Sequence, residues 1–304
     1  DADGKFVGMP LSSSAPIMYY NVEALEKAGV EAPKTWEEFE AIAPKLKEAG
    51  YIPLVQSHLP WQMVENFHSR NNLQFATNNN GYDSVVDTKI LVNTEEQRMM
   101  FSKLKEWQDA GMFAFYGAGW NDNQKPFEEG KVALWVGSSG SFGGLLKTAT
   151  MPFAATLMPN WSGIAGSGTN SFIGGAALFA MAGKSAEENK CTGDFFNFIA
   201  SPEIQYYYHK ETGYVPLTTA AYELAKKDGH YDRTPQAEVG LQQLMLPGGE
   251  WSKGYRMGFY PQIRDVMNRE FVKIFSGEVT VEDAFKTIEA EANEILARFA
   301  KTAG

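Results

Sequence analysis

The sequence predicts an α/β fold. Short apolar strands alternate along the chain with capped helices, a pattern typical of domains that pack helices against a sheet. The 304 residues are 44% hydrophobic and 13% aromatic, which provides enough apolar surface for one large core or two smaller ones. Composition shows no domain boundary, internal repeat or low-complexity linker along the chain.

The individual elements follow from local patterns. Residues 6–11 and 17–20 are predicted strands, and Asn21 is expected to cap the helix that follows. Thr35 and Glu38 form a T-x-x-E capping box at the start of the next helix. Further strands are predicted at 52–55, 132–136 and 176–182. Further helices are predicted from residue 93 or 94 to 111, at 195–210, at 261–275 and at 281–300.

The composition argues against several classes of function. A formal net charge of −10 disfavours non-specific nucleic-acid binding and docking on anionic lipid, although a local site can still attract an anion. The single cysteine, Cys191, permits neither an internal disulfide nor a metal–thiolate cluster. No apolar run reaches the roughly 18 to 20 residues that span a bilayer.

The sequence contains no recognisable catalytic motif. It has no H-E-x-x-H, G-x-S-x-G or P-loop motif, and no G-x-G-x-x-G after a strand. The four histidines, His58, His68, His209 and His230, lack metal-ligand spacing and are expected to be surface or packed side chains. We therefore predict a binding protein without catalytic residues, cofactor or metal. A polysaccharide-acting enzyme is a remote alternative.

One strand-to-helix junction has the composition of an anion site. The strand at 132–136 runs into the Gly/Ser turn 137–141, and a helix is predicted from Phe142. Free N–H groups at a helix start favour an anion, and serine hydroxyls add neutral donors. An ordinary strand-to-helix turn explains the same pattern. The serine run 12–14 and the glycine pair 174–175 are two further, weaker candidates for part of an anion-binding site.

Two larger side chains are candidates for a binding cleft. Trp61 lies in a polar, proline-containing segment, where its ring can pack on the C–H surface of a polyol or sugar or enter the core. Arg264 follows Pro261 near a helix start, where a positive charge opposes the helix dipole. An anionic ligand would favour that position, because guanidinium binds phosphate or carboxylate bidentately. A surface salt bridge is the alternative.

Several segments together resemble family 1 extracellular solute-binding proteins of ABC importers. They are YYN at 19–21, PKTWEE at 33–38, F-x-x-GKVAL at 127–134, FIASPE at 198–203, GYVP at 213–216, and 277–284. Each segment is short, but their combination is specific and covers nearly the whole chain. The resemblance implies a type II periplasmic-binding fold, in which two α/β lobes close on a ligand in the cleft between them.

A second group of segments resembles the members of this family that bind glycerol-3-phosphate. They are SSAP at 13–16, ENF at 65–67, NNGYD at 79–83, SSGS at 138–141, IGGA at 173–176, TGYVP at 212–216 and PQIR at 261–264. By that resemblance, five residues hold the ligand phosphate: Ser14, Ser138, Gly175 through its amide, Tyr214 and Arg264.

The half of the ligand beyond the phosphate is expected to differ from those relatives. Trp61 matches one of two tryptophans that line the glycerol moiety, but the second tryptophan position is His58 here. This difference leaves room for glycerophosphodiesters such as glycerophosphocholine. The predicted ligand is therefore glycerol-3-phosphate or a glycerophosphodiester. A neutral sugar or oligosaccharide bound by the same fold is the alternative.

The resemblance also implies how the chain is divided and where it acts. The family's first ~110 residues and its signal peptide have no counterpart here, so one lobe is expected to be incomplete. Residues 1–172 and 218–304 are expected to form mainly the C-terminal-type lobe, and residues 173–217 a return segment of the other lobe. The implied setting is the periplasm, with ABC permease transmembrane subunits as partners and a monomeric full-length protein.

Overall fold

The computed structural model describes residues 7–303, which form two β-sheets surrounded by helices. The strands are β1 (Met9–Ser14), β2 (Pro16–Asn21), β3 (Ile52–Gln56), β4 (Phe113–Ala114), β5 (Val132–Ser138), β6 (Phe153–Leu157) and β7 (Gly174–Leu178). This arrangement confirms the predicted α/β class. No helix among these residues combines the length and apolar character needed to cross a membrane.

Fourteen α-helices are present in the described residues. They are α1 (Val22–Ala28), α2 (Trp36–Glu48), α3 (Asn66–Arg70), α4 (Thr77–Asn80), α5 (Glu95–Asp109), α6 (Trp120–Glu128), α7 (Phe142–Thr148), α8 (Ala186–Ala200), α9 (Pro202–Thr212), α10 (Thr219–Lys227), α11 (His230–Arg233), α12 (Val239–Leu244), α13 (Tyr260–Ser276) and α14 (Val281–Ala303). Short non-α turns occur at Pro60–Glu65, a π-helix, and at Ser139–Ser141 and Pro235–Glu238, which are 3₁₀-helices.

The capping residues predicted from sequence begin three of these helices. The Asn21 side chain accepts a hydrogen bond from the Ala24 amide at the start of α1. Thr35 and Glu38 make both bonds of the capping box on α2, and Thr94 caps α5. Each cap satisfies backbone N–H groups that the first helical turn leaves free.

The main sheet has the strand order β4-β3-β5-β2-β6. β3 runs parallel to β4 and β5, whereas β2 is antiparallel to β5 and β6. In this register Pro16, at the start of β2, lies opposite Ser138, at the end of β5. The chain before β2 and the chain after β3 and β5 therefore meet at one edge of the sheet. This is the edge at which open α/β sheets bind ligands.

Both faces of the main sheet are covered. Met18 of β2 belongs to the core formed with α2, α5, α13 and α14, while its neighbours Ile17 and Tyr19 belong to the core on the opposite side. In β3, Leu54 belongs to the same core as Met18, and Val55 belongs to the core on the opposite side. Since alternate residues of a strand point to opposite faces, the mostly apolar runs of these strands are explained by burial on both sides.

β1 and β7 form a second, two-stranded antiparallel sheet, in which Ser13 pairs with Gly175 and Ser14 with Gly174. Gly175 has φ +129°, and a Cβ atom there would lie 2.0 Å from the Ser12 carbonyl oxygen. Only glycine fits this conformation and this close approach. Because β1 pairs with β7, residues 9–14 share a sheet with the segment predicted to return to the other lobe. The division of lobes at 172 and 218 stays a prediction.

Three predicted elements differ from the structure in position or in number. The strand expected at 176–182 is β7, at 174–178, and the strand expected at 6–11 is β1, at 9–14; residue 6 lies outside the described residues. The single helix expected at 195–210 is wrong. It is two helices, α8 and α9, separated at Ser201. Pro202 disfavours helical geometry in the preceding residue, and Ser201 has ψ 141°.

Candidate ligand-binding site

A cleft of about 760 Å³ opens at the ligand-binding edge of the main sheet, and residues of the two-stranded sheet form part of its wall. All the binding residues predicted from sequence line it: Ser14, His58, Trp61, Ser138, Gly175, Tyr214 and Arg264. These positions are spread over 250 residues of sequence. The fold therefore brings the whole predicted set to one place.

The junction after β5 is held in a fixed shape. The Ser138 side chain accepts a hydrogen bond from the Gly140 amide at 3.1 Å, which caps the following 3₁₀ turn. The Ser138 carbonyl accepts one from the hydroxyl of buried Tyr19 at 2.9 Å. One N–H of the proposed anion turn is thus already satisfied within the protein. Ser138 also lines the cleft, where its hydroxyl hydrogen is available for a ligand.

Tyr214 is positioned by two packing contacts of its ring and by two hydrogen bonds of the backbone at 214–215. Its ring covers Gly140 so closely that a Cβ atom at that glycine would lie 2.6 Å from the ring. The ring stacks on Tyr208 with centroids 5.7 Å apart. The Tyr214 carbonyl accepts a bond from Nδ1 of buried His209 at 2.7 Å, and the Val215 amide donates to the Ser13 carbonyl at 2.8 Å. These contacts fix the tyrosine beside the serine turn.

Arg264 forms a bidentate ion pair with Glu65. Nε donates to Oε1 and Nη2 donates to Oε2, each at 2.6 Å. The Tyr255 hydroxyl donates to the same Oε2 at 3.1 Å. The Glu65 side chain is fully buried, and that of Arg264 is 34% exposed. Burial alone would lower the pKa of Arg264, but the hydrogen bonds and charge of Glu65 raise it above its ordinary value.

The ion pair corrects the argument from the helix dipole. Arg264 lies in the first turns of α13, and the anion that compensates its charge is Glu65 of the protein. A bound ligand is therefore not needed to explain its position. The Nε–Nη2 edge of the guanidinium is occupied, whereas Nη1 has no acceptor among residues 7–303. A ligand can still be bound through the Nη1–Nη2 edge.

The aromatic wall comes from a buried π-helix at Pro60–Glu65, a form often found at functional sites. It carries Trp61 toward the cleft and Glu65 beneath Arg264. The indole Nε1 of Trp61 is buried without a hydrogen-bond partner in the described chain. Beside it, burial lowers the pKa of His58 to about 4, with a further contribution from the Arg264 charge. His58 is therefore neutral at neutral pH.

The cleft lining is rich in neutral donors and poor in charge. Arg264 is the one lining residue that is charged at neutral pH, and none of the lining residues in the described chain is acidic. Hydroxyl groups, backbone amides, one guanidinium and aromatic rings suit a polar ligand with an anionic group. Among residues 7–303 no cluster of three or more His, Cys, Asp or Glu side chains is arranged to hold a metal.

Sequence reasoning missed several residues of this site. Those that line the cleft are Ser12, Ser13, Trp120, Ser141, Phe172 and Tyr255. Ser12 and Ser13 had a signal in the serine run, and Ser141 in the turn after β5. Glu65, behind Arg264, lies in the ENF segment that carries the resemblance, but no local pattern indicates its role. Trp120 and Tyr255 had no local signal.

Comparisons with known proteins support a solute-binding family. The family model described as bacterial extracellular solute-binding protein matches residues 1–238. The sn-glycerol-3-phosphate-binding periplasmic protein UgpB of Salmonella typhimurium is 35% identical over 303 residues, which are 98% of this chain and 69% of that protein. UgpB of Pectobacterium atrosepticum is 35% identical over 301 residues, covering 97% and 67%.

Solved structures show the same fold at low identity. UgpB from Mycobacterium tuberculosis in complex with glycerophosphocholine has a TM-score of 0.75 at 22% identity, covering 98% of this chain and 73% of that one. Maltose-bound MalE3 of T. maritima has a TM-score of 0.75 at 20% identity, covering 96% and 73%. The expected periplasmic solute-binding architecture is confirmed.

Proposed function

The chain belongs to the bacterial extracellular solute-binding protein family, and on that premise we propose that it captures a phosphate ester of glycerol. The ligand is glycerol-3-phosphate or a glycerophosphodiester such as glycerophosphocholine. The protein delivers it in the periplasm to the transmembrane subunits of an ABC permease. It acts by binding, without chemical conversion of the ligand.

The observation that carries this proposal is the lining of the cleft around Arg264. No acidic residue of the described chain lines the cleft, and Ser14, Ser138 and Tyr214 add hydroxyl donors to the same lining as Arg264. The amide of Gly175 adds a backbone donor at a position where a side chain cannot fit. Phosphate accepts several hydrogen bonds at once, so a cationic fork surrounded by neutral donors suits it.

The remaining volume of the cleft accommodates the rest of the ligand. Trp61 provides an apolar face for glycerol C–H groups, and neutral His58 replaces a second aromatic wall with a smaller polar ring. A cleft of about 760 Å³ exceeds the needs of glycerol-3-phosphate alone and favours a diester with a second alcohol group.

A neutral sugar or oligosaccharide is the second candidate. Its specific support is the Arg264–Glu65 pair, which has no net charge and therefore attracts an anion less than a free arginine would. Trp61, Trp120 and Tyr255 also give the cleft the aromatic lining that suits sugar rings. Because none of the cleft-lining residues in the described part of the chain is acidic, the phosphate ester is favoured.

Calorimetry on the purified protein separates the two candidates. We expect saturable binding of glycerol-3-phosphate or glycerophosphocholine and no binding of maltose, in a buffer free of phosphate. Free glycerol and inorganic phosphate serve as controls for the two halves of the ligand, and each should bind more weakly than the ester. Tight maltose binding without any phosphate-ester binding would establish the sugar alternative.

Release of glycerol or alcohol from either ester is monitored in the same samples. Ligand recovered intact after prolonged incubation agrees with a binding protein. Turnover that depends on an intact cleft would instead require an enzyme.

A further inference from the structure

The charge of Arg264 is balanced inside the protein before any ligand arrives. Its guanidinium makes two 2.6 Å bonds to the Glu65 carboxylate. That carboxylate is fully buried and is not part of the cleft lining. A ligand phosphate at the free edge of the guanidinium therefore interacts with a cation and, a few ångströms behind it, with a fixed anion.

The surrounding titratable groups do not add a second positive charge. From the π-helix side, His58 is neutral because burial lowers its pKa to about 4. Tyr255, from the loop before α13, and Tyr260, from the first turn of α13, keep their protons because burial raises their pKa values. Among residues 7–303, the ionic side chains at this end of the cleft are Arg264, which lines it, and its partner Glu65.

This balance affects a singly and a doubly charged ligand differently. Each negative charge of a phosphate is attracted by the nearer guanidinium and repelled by Glu65 behind it, so a second charge gains no more than the first. The cost of removing a phosphate from water, by contrast, rises steeply with its charge. Because the ion pair has no net charge, its attraction for the second negative charge does not offset this cost of desolvation.

We propose that Glu65 is a specificity-determining residue that makes the cleft select phosphate ligands with a single negative charge. The favoured class is the phosphodiester, and a phosphomonoester binds mainly in its singly protonated form. The inference rests on the proposed function, because it assumes that the phosphate lies at Arg264. Glu65 acts through Arg264 and does not itself contact the ligand.

The second ionisation of a phosphomonoester, with pKa near 6, provides the test. Affinities are measured by calorimetry from pH 5 to pH 8 in phosphate-free buffer. The probes are glycerol-3-phosphate and two diesters, glycerophosphocholine and glycerophosphoglycerol, whose phosphate charge is constant over this range. For the wild-type protein, the glycerol-3-phosphate affinity should fall by roughly tenfold per pH unit above that pKa, and the diester affinities should stay level.

Glu65→Gln keeps the shape of the side chain and removes its charge. In this variant the affinity for glycerol-3-phosphate at pH 8 should rise relative to that for the diesters, by on the order of tenfold. Glu270→Gln is the matched control, since Glu270 is also buried and ion-paired but lies outside the cleft lining. It should retain the wild-type ratio of affinities.

The outcomes are distinct. If no phosphate ester binds at any pH, the proposed function fails and this inference fails with it. If monoester and diesters bind with parallel pH profiles, the selection by charge is wrong while the proposed function stands; this comparison needs only wild-type protein. If the wild-type profiles diverge and folded Glu65→Gln diverges equally, Glu65 is not the cause.

Discussion

Gly174 packs directly against the indole ring of Trp61, so that a Cβ atom on the glycine would lie 2.6 Å from the ring. The same position is 3.1 Å from the Ser14 hydroxyl oxygen. The two-stranded sheet, which carries Ser14, thereby packs against the π-helix that carries Trp61. The absence of a side chain at Gly174 allows this close approach at the point where the ligand is expected.

The first prediction follows from this contact. Gly174→Ala should push the Trp61 ring or β7 outward and weaken glycerophosphocholine binding by on the order of tenfold, the scale of a local overpacking strain. Calorimetry measures the effect. Gly193→Ala is the control, because a Cβ atom on that α8 glycine meets nothing within 4 Å. Equal affinities in the two variants would show that the Gly174–Trp61 distance does not shape the site.

A second prediction concerns selectivity at His58. The side chain lines the cleft beside Trp61 and stands where relatives are expected to have a second tryptophan. His58→Trp should fill the space for a second alcohol group and shift preference toward glycerol-3-phosphate, by roughly tenfold in the ratio of affinities. Titrations with both ligands at one pH give this ratio. An unchanged ratio would remove His58 from the determinants of selectivity.

A third prediction concerns stability in mild acid. Burial lowers the pKa of His68 and of His209 to about 4 from an ordinary value of 6.5, so the unfolded chain takes up protons first as the pH falls. The contribution of these histidines to the free energy of unfolding is fully present above about pH 7. It is lost between pH 6.5 and pH 4, by up to roughly 3 kcal/mol for each histidine.

Urea denaturation at several pH values tests this linkage. The wild-type free energy of unfolding should decline across that range, and that of His68→Asn should decline less steeply because one titrating group is gone. The side-chain amide of asparagine offers a replacement for the Nδ1–H that bonds the Gln74 carbonyl. Parallel slopes for the two proteins would contradict the assignment of the loss to His68.

The sequence predicted local features of this fold well and distant contacts poorly. Caps such as Asn21 and Thr35 depend on bonds three residues away, and they were found. The break at Ser201 was missed because apolar periodicity outweighed the effect of Pro202. For the cleft, the family resemblance and the hydroxyl-rich turns predicted a set of binding residues, and the fold brings all of them together.

The partner of Arg264 could not be found from local pattern. Glu65 is 199 positions away in the chain and lies in a buried π-helix with no charge pattern of its own. A helix start with an unpaired arginine therefore predicted an external anion, whereas the folded protein supplies an internal one. Tertiary contacts decide which interpretation of a single charged residue holds.

The internal ion pair changes what removal of Arg264 does. Arg264→Ala alone leaves Glu65 buried and unpaired, which should destabilise the protein by about 3 to 5 kcal/mol and obscure any effect on binding. Combining it with Glu65→Gln removes both charges and should restore most of the lost stability. A thermal melt of the single and double variants checks this step.

Calorimetry of glycerol-3-phosphate and glycerophosphocholine on the folded Arg264→Ala/Glu65→Gln variant tests the central claim most directly. Arg298→Ala, which removes an exposed arginine of α14 outside the cleft lining, is the control and should bind as wild type. We expect the double variant to lose roughly 2 to 5 kcal/mol of binding free energy for both ligands. Wild-type affinity for either ester in that variant would contradict a phosphate site at Arg264.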